Sequence, residues 1–248
     1  MAMPAAQIQD LCELGQEQLS RMQYLAAEKT LAAAEHLAWN ARDFDSLSRL
    51  YMPLQESRRQ RRQRCGEGTV QLDLLAAGAD EPFDGNAIAS SILRGQLLIA
   101  GWGSIEPALQ ARRAQAQADL YLDVFLAAVY PAGAGRLVAI VPTADVALPP
   151  AEATSIDALI RRLPAHSIVM SDNQLPNGQR GGSPQTYAEV MAFWERLHAP
   201  FLAAADATPD PIRRIDAYRK TIAVDYACEL AHQRISDTAR KLCAKGTA

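Results

Sequence analysis

Apolar positions change their period twice along the 248-residue chain. Residues 5–65 carry apolar side chains at three- and four-residue steps, with no glycine between Gly15 and Gly66 and Pro53 as the one interruption. That spacing predicts helices. From Thr69 onward the apolar positions fall into short runs, Thr69–Leu75, Gln96–Ala100, Arg136–Val141 and Ser167–Ser171, which predict strands. Helical patterns alternate with them: a short helix over Asn86–Leu93 capped by Asn86, one from Pro107 to Asp119, and one opened by Thr154-Ser155-Ile156-Asp157 and running through Leu163. Leu120–Tyr130 fits either a continuation of the preceding helix or a strand. The following Pro131-Ala132-Gly133-Ala134-Gly135 favours a hairpin onto Arg136–Val141.

After this the helical period returns. Thr186-Tyr187-Ala188-Glu189 reads as a capping box, and Tyr187, Val190, Met191, Trp194, Leu197, Phe201 and Leu202 form one apolar stripe. Asp210-Pro211 opens a second stripe, Ile212, Ile215, Tyr218, Ile222, Tyr226, Leu230 and Ile235, which would make one helix to about Leu242, ~50 Å long at ~1.5 Å per residue. Strands alternating with helices predict a mixed α/β fold with a mostly parallel sheet. The expected organisation is a helical N-terminal segment over 1–66, an α/β sheet over 67–185, and a tail of long C-terminal helices over 186–248 packing on the others. Gln96–Ser104 is the pivot, a buried strand that ends in Gly101-Trp102-Gly103-Ser104 and feeds a helix.

Composition narrows the setting. Hydrophobic residues at 49% and a net charge of −3 describe an ordinary globular chain with no global attraction to nucleic acid or anionic membrane. Cys12, Cys65, Cys228 and Cys243 are far apart and lack the spacing of a zinc or redox site, which points to a reduced, cytoplasmic protein. The first residues lack the basic and apolar regions of a signal peptide, and the apolar run around Val124–Val129 is far short of the ~20 residues of a membrane span. The four histidines form no ligand motif, so no metal site and no cofactor are expected.

Leu14-Gly15, followed by Tyr24, Ala27, Leu31 and Ala34, resembles the tetratricopeptide helix-pair pattern over residues 8–65. The closing proline of that pattern is absent and the next repeat is shifted. The resemblance implies stacked helix pairs forming a groove for a peptide or a partner helix, with Tyr24 and Phe44 as packing aromatics. A plain three-helix bundle accounts for the same residues.

The third helix ends in Arg58-Arg59-Gln60-Arg61-Arg62-Gln63-Arg64, five arginines in seven positions. At ~100° per residue these encircle a helix instead of lining one face, which suits a solvated helix end, or a salt-bridged contact with the sheet domain, better than a phosphate or nucleic-acid contact. Residues 1–65 hold nine basic and eight acidic side chains, so the front is nearly neutral.

In a parallel sheet ligands bind outside the carboxyl ends of the strands. Ser104 and Glu106, Thr143 and Asp145, and Ser171, Asp172 and Asn173 follow strand ends. Asp145 and Asp172 are the catalytic candidates, a carboxylate pair suited to acid–base work or to magnesium. Ser104, Thr143, Asn173 and Arg180 are the ligand-binding candidates, Arg180 belonging to the loop Asn177–Pro184. The competing explanation is that such residues cap turns. Neither a complete dinucleotide fingerprint nor a Walker sequence accompanies Gly101-Trp102-Gly103, and no nucleophile elbow is present. The leading expectation is an interaction or scaffold protein that binds a protein partner or a second copy. The alternative is a small-molecule enzyme or sensor for an anionic ligand at the strand ends.

Overall fold

The computed structural model describes residues 4–81, 83–133, 135–152 and 155–246. Ala134, in the expected hairpin turn, and Thr154, in the expected capping box, lie outside the described residues. In chain order the elements are α1 (Pro4–Ser20), α2 (Tyr24–Ala41), α3 (Phe44–Gly66), β1 (Thr69–Leu75), α4 (Gly85–Ser91), β2 (Arg94–Trp102), α5 (Glu106–Ala118), β3 (Tyr121–Ala132) and β4 (Gly135–Ile140). Then come α6 (Ile156–Arg162), β5 (Ile168–Ser171), a 3-10 turn (Asp172–Gln174), β6 (Arg180–Gly181), α7 (Pro184–Asp206), α8 (Pro211–Val224) and α9 (Glu229–Gly246). The fold is mixed α/β. The chain divides into two compact units, 1–62 with 198–248, and 63–197. Among the described residues no helix is long and apolar enough to cross a membrane.

In the first unit the front and tail helices share one core. Ile8, Leu31, Leu47, Leu50, Tyr51 and Leu54 pack with Ala205, Ile215, Tyr218, Ala231 and Ile235, all buried. The α1–α2 pair is close because Gly15 has no side chain: a Cβ there would sit 2.5 Å from Leu31 Cγ. Arg42 ends α2 in the left-handed conformation, its N–H bonding back to Ala38 and Trp39 carbonyls, and Asp43 accepts from Ser46 N–H to start α3.

The second apolar stripe of the tail does not make one long helix. Asp225 adopts an extended conformation that ends α8, and α9 starts at Glu229. The reason is electrostatic: the Asp225 carboxylate turns inward to Arg62 and His198, and its Oδ1 also accepts from Ala227 N–H, within the short link between the helices. Asp210 does cap α8, accepting from Arg213 N–H, with Pro211 in the first turn.

The second unit holds a six-stranded sheet of order β5-β4-β3-β2-β1-β6. β1, β2 and β3 are parallel; β4 is antiparallel to β3, β5 to β4 and β6 to β1. Leu120–Tyr130 thus resolves as strand, the register running from Ala127 opposite Ile140 to Ala132 opposite Gly135. β2 and β3 are buried almost end to end because both faces are covered. Leu97, Ile99, Val124 and Leu126 pack with Ala108 and Ala111 of α5. On the opposite face Phe125 stacks on Trp194 of α7 at 4.2 Å between ring centres. The cap of α4 is Asp84 and not Asn86, since its carboxylate accepts from the Asn86 and Ala87 N–H groups. α7 starts before Thr186: Ser183 and Thr186 cap it reciprocally, Ser183 Oγ accepting from Thr186 N–H and Thr186 Oγ1 from Ser183 N–H.

Candidate functional site

The strand-end candidates separate according to strand direction. Ser104 follows β2 and Asp172 and Asn173 follow β5, which runs in the same direction as β2 because it is two antiparallel pairings from β3. Thr143 and Asp145 follow β4, which runs the other way, so the chain leaves that strand at the opposite end. Convergence of Asp145 with Asp172 required a parallel strand before Thr143, and the hairpin removes it.

Of the remaining candidates Ser104, Asp172 and Arg180 have partners of their own. Ser104 Oγ accepts from Glu106 N–H, a local turn just ahead of α5 whose N-cap position is Ile105. The Asp172 carboxylate accepts from Arg136 Nε at 2.9 Å, and Arg136 Nη1 donates to the Ala76 carbonyl. Asn173 is exposed. Arg180, in the edge strand β6, pairs with Glu189 of α7 at 2.7 Å. Residues 172–179 join the two opposite edges of the sheet, and Gly178 N–H on this segment donates to Asp73 at 2.6 Å. Register aligns Arg180, Val70, Gln96 and Asp123 in one row across four strands. Gln96 in that row is fully buried, and its amide has no hydrogen-bond partner among the described residues. Among the described residues no group of three or more His, Cys, Asp and Glu side chains could hold a metal ion.

A buried ionic network lies in the helical unit, where the arginine run meets Glu28, Asp225 and His198, partners that the sequence pattern did not single out. The arginine run of α3 sorts by face. Arg58, Arg61 and Arg62, at i, i+3 and i+4, turn inward, whereas Arg59 pairs with Glu56 one turn back. Arg58 and Arg61 both donate to Glu28 of α2, at 3.2 and 2.9 Å. Burial opposes the Glu28 charge, but Arg61 and Arg58 outweigh it and hold its carboxyl below the usual range. Arg62, 1% exposed, donates to Asp225 Oδ1 at 2.9 Å, and His198 Nδ1 donates to Asp225 Oδ2 at 2.7 Å.

Burial again works against both charges of this pair. Arg62 and His198 nonetheless hold Asp225 down to about 2, and hydrogen bonds to Asp225 and Cys228 raise His198 to about 10. His232 takes the opposite course: burial first, then the neighbouring Arg58 charge, lower it to about 3. Its ring is therefore neutral, with Nδ1 donating to the Cys228 carbonyl at 2.8 Å and Nε2 accepting from Arg58 Nη1 at 3.0 Å.

Beside this network α2, α3 and α8 frame a pocket of about 210 Å³, lined by Glu35, Tyr51, Leu54, Arg58, Arg219, Ile222 and Ala223. Glu35 organises its wall: it accepts from Tyr51 Oη at 2.7 Å and from Arg219 Nε at 2.6 Å. Burial, then the Glu35 charge, push the Tyr51 hydroxyl well above its ordinary value, so it remains a donor. Arg219 also lies over the Trp39 ring at 4.7 Å, and Arg42 over the same ring at 4.4 Å. Sequence reasoning missed this pocket because its residues come from three segments whose only common signal is a polar side chain on an otherwise apolar helical stripe. Set against known proteins, the chain matches no family model, no curated protein and no solved structure.

Proposed function

We propose that the chain is an interaction protein whose helical unit, 1–62 with 198–248, serves as the binding module. The observation that carries this reading is the pocket framed by α2, α3 and α8, a concave site walled by fixed charges instead of by a continuous apolar core. The close α1–α2 pair at Gly15 and Leu31 supports it, because stacked helix pairs of the tetratricopeptide kind form grooves of this sort. Size supports it as well. At about 210 Å³ the pocket is below the roughly 300–1,000 Å³ of a small-molecule site and suits one side chain of a bound peptide. The alternative, an anionic ligand at the strand ends, has less support, since Asp172 and Arg180 are already engaged by Arg136 and Glu189.

The test is a peptide-display selection with the full chain against Ala223→Trp, which fills the pocket from an exposed helix position on α8. Peptides retained by the wild type and lost by Ala223→Trp are expected. A selection that enriches no peptide, or enriches the same peptides with both proteins, overturns the reading.

A further inference from the structure

We infer that the α2–α3–α8 pocket is a carboxamide receptor: it takes an asparagine or glutamine side chain of a peptide partner, with Arg58 and Arg219 on the amide oxygen and Glu35 on the amide nitrogen. This rests on the reading of the helical unit as a binding module and names the side chain that the module reads.

Charge favours a neutral guest. Each arginine of the lining already has a carboxylate, Arg58 that of Glu28 and Arg219 that of Glu35. His232, the other partner of Arg58, adds no charge because burial keeps its ring neutral. A carboxylate guest would come up against Glu35, which is itself part of the wall, and an ammonium guest against Arg58 and Arg219. Either ion would give up hydration for partners that are already matched, a cost that a neutral polar group avoids.

The hydrogen-bonding capacity left on the wall selects among neutral groups. Arg58 commits Nε to Glu28 and Nη1 to His232, which leaves Nη2 uncommitted among the described residues. Arg219 commits Nε and Nη2 to Glu35, which leaves Nη1 uncommitted among the same residues. Glu35 Oε1 accepts from both Tyr51 Oη and Arg219 Nε, whereas Oε2 receives, among the described residues, only the 3.5 Å contact from Arg219. Oε2 therefore keeps acceptor capacity. Donors on two side chains and an acceptor on a third match a carboxamide, whose oxygen accepts two hydrogen bonds while its nitrogen donates. A hydroxyl has to meet all three from a single atom. Because glutamates clamp both guanidinium groups, little side-chain freedom is lost on binding.

Size agrees. About 210 Å³ holds about seven waters at ~30 Å³ each, room for a carboxamide together with its methylene groups. A serine hydroxymethyl group would leave most of that space unfilled. Leu54, Ile222 and Ala223 supply an apolar side against which the methylenes pack.

The experiment titrates the full-length protein, observed through its arginine Nε–H resonances, with the N-acetyl methylamides of glutamine, glutamate, lysine and serine. The glutamine probe is expected to shift the Arg58 and Arg219 signals saturably. The other three are expected to bind at least about tenfold more weakly, each forgoing a charge-assisted hydrogen bond that the carboxamide makes. Glu35→Gln keeps an acceptor for Tyr51 but removes the negative charge of the wall, so preference should pass from the glutamine to the glutamate probe. Arg219→Gln should weaken the glutamine probe by roughly tenfold. A cooperative melt of each variant establishes that it is folded, and where Glu35→Gln does not melt cooperatively Arg219→Gln carries the comparison. Equal binding of the glutamine and glutamate probes, or no saturable shift with the glutamine probe, overturns the proposal. A serine probe as tight as the glutamine probe overturns it too and assigns the pocket to a hydroxyl. Display peptides that are lost by Ala223→Trp yet carry neither asparagine nor glutamine would overturn the carboxamide specificity while leaving the binding module standing.

Discussion

The Arg62 guanidinium of α3 donates to Asp225 Oδ1 at 2.9 Å across 163 positions of sequence, and both side chains are essentially buried. Removing one partner of such a pair strands the other charge in a low-dielectric interior, which costs roughly 3–5 kcal/mol. Asp225→Asn removes the carboxylate charge that Arg62 and His198 share. The expected result is a melting temperature lower by roughly 10 °C, read by calorimetry, since ~1 kcal/mol moves a chain of this size ~2–4 °C. A drop within a degree or two would mean that the pair is not closed in solution.

His198, half-buried, and His232, buried, give opposite pH limbs. His198 is raised from 6.5 to about 10, so its contribution is fully present below its unfolded value and is lost as pH rises through about 10. His232 is lowered from 6.5 to about 3, so below pH 6.5 the unfolded chain takes up a proton that the folded one refuses, and stability falls toward pH 3. Asp225, depressed from 3.8 to about 2, steepens the acid limb at its lower end. Denaturation followed from pH 3 to 10 should show a maximum near the unperturbed histidine value, and His198→Gln should flatten the alkaline limb alone. An unchanged alkaline limb in His198→Gln would remove His198 as its cause.

Gly15→Ala places a methyl group against Leu31, at 2.5 Å from Cγ. Alanine favours a helix over glycine by up to ~1 kcal/mol, whereas overpacking costs ~1–3 kcal/mol. The expectation is net destabilisation by a few degrees. Combined with Leu31→Val, the loss should be smaller than the sum of the two single changes, a coupling that a double-mutant cycle reads directly. Additive losses would mean that α1 and α2 do not meet at these residues.

Asp172→Ala breaks the ion pair with Arg136, whose two side chains are 24% and 34% exposed. Solvent screening keeps such pairs near ~0–1 kcal/mol. The variant should melt within about 3 °C of the wild type and retain the peptides that the wild type selects. Loss of peptide binding in Asp172→Ala would move the site to the sheet.

Local pattern was enough for much of this architecture. The strand expected at Gln96–Ala100, which the structure extends to Arg94–Trp102, the Asp210-Pro211 helix start and the apolar stripes of α7 and α8 follow from spacing and from capping chemistry that acts within a few residues. The hairpin of β3 and β4 was legible in its Gly- and Pro-rich turn, although the apolar run before it fitted helix and strand alike. Long-range electrostatics was not legible. Nothing local marks Asp225 as the residue that divides the tail, because its partners, Arg62 and His198, come from two other helices. The same holds for the pocket. Glu35, Tyr51, Arg58 and Arg219 are ordinary helical positions until α2, α3 and α8 pack together and their polar groups must find partners away from water. Spacing sets which face of a helix is apolar, while the neighbour that a buried charge meets is set by packing, and here packing made the candidate site.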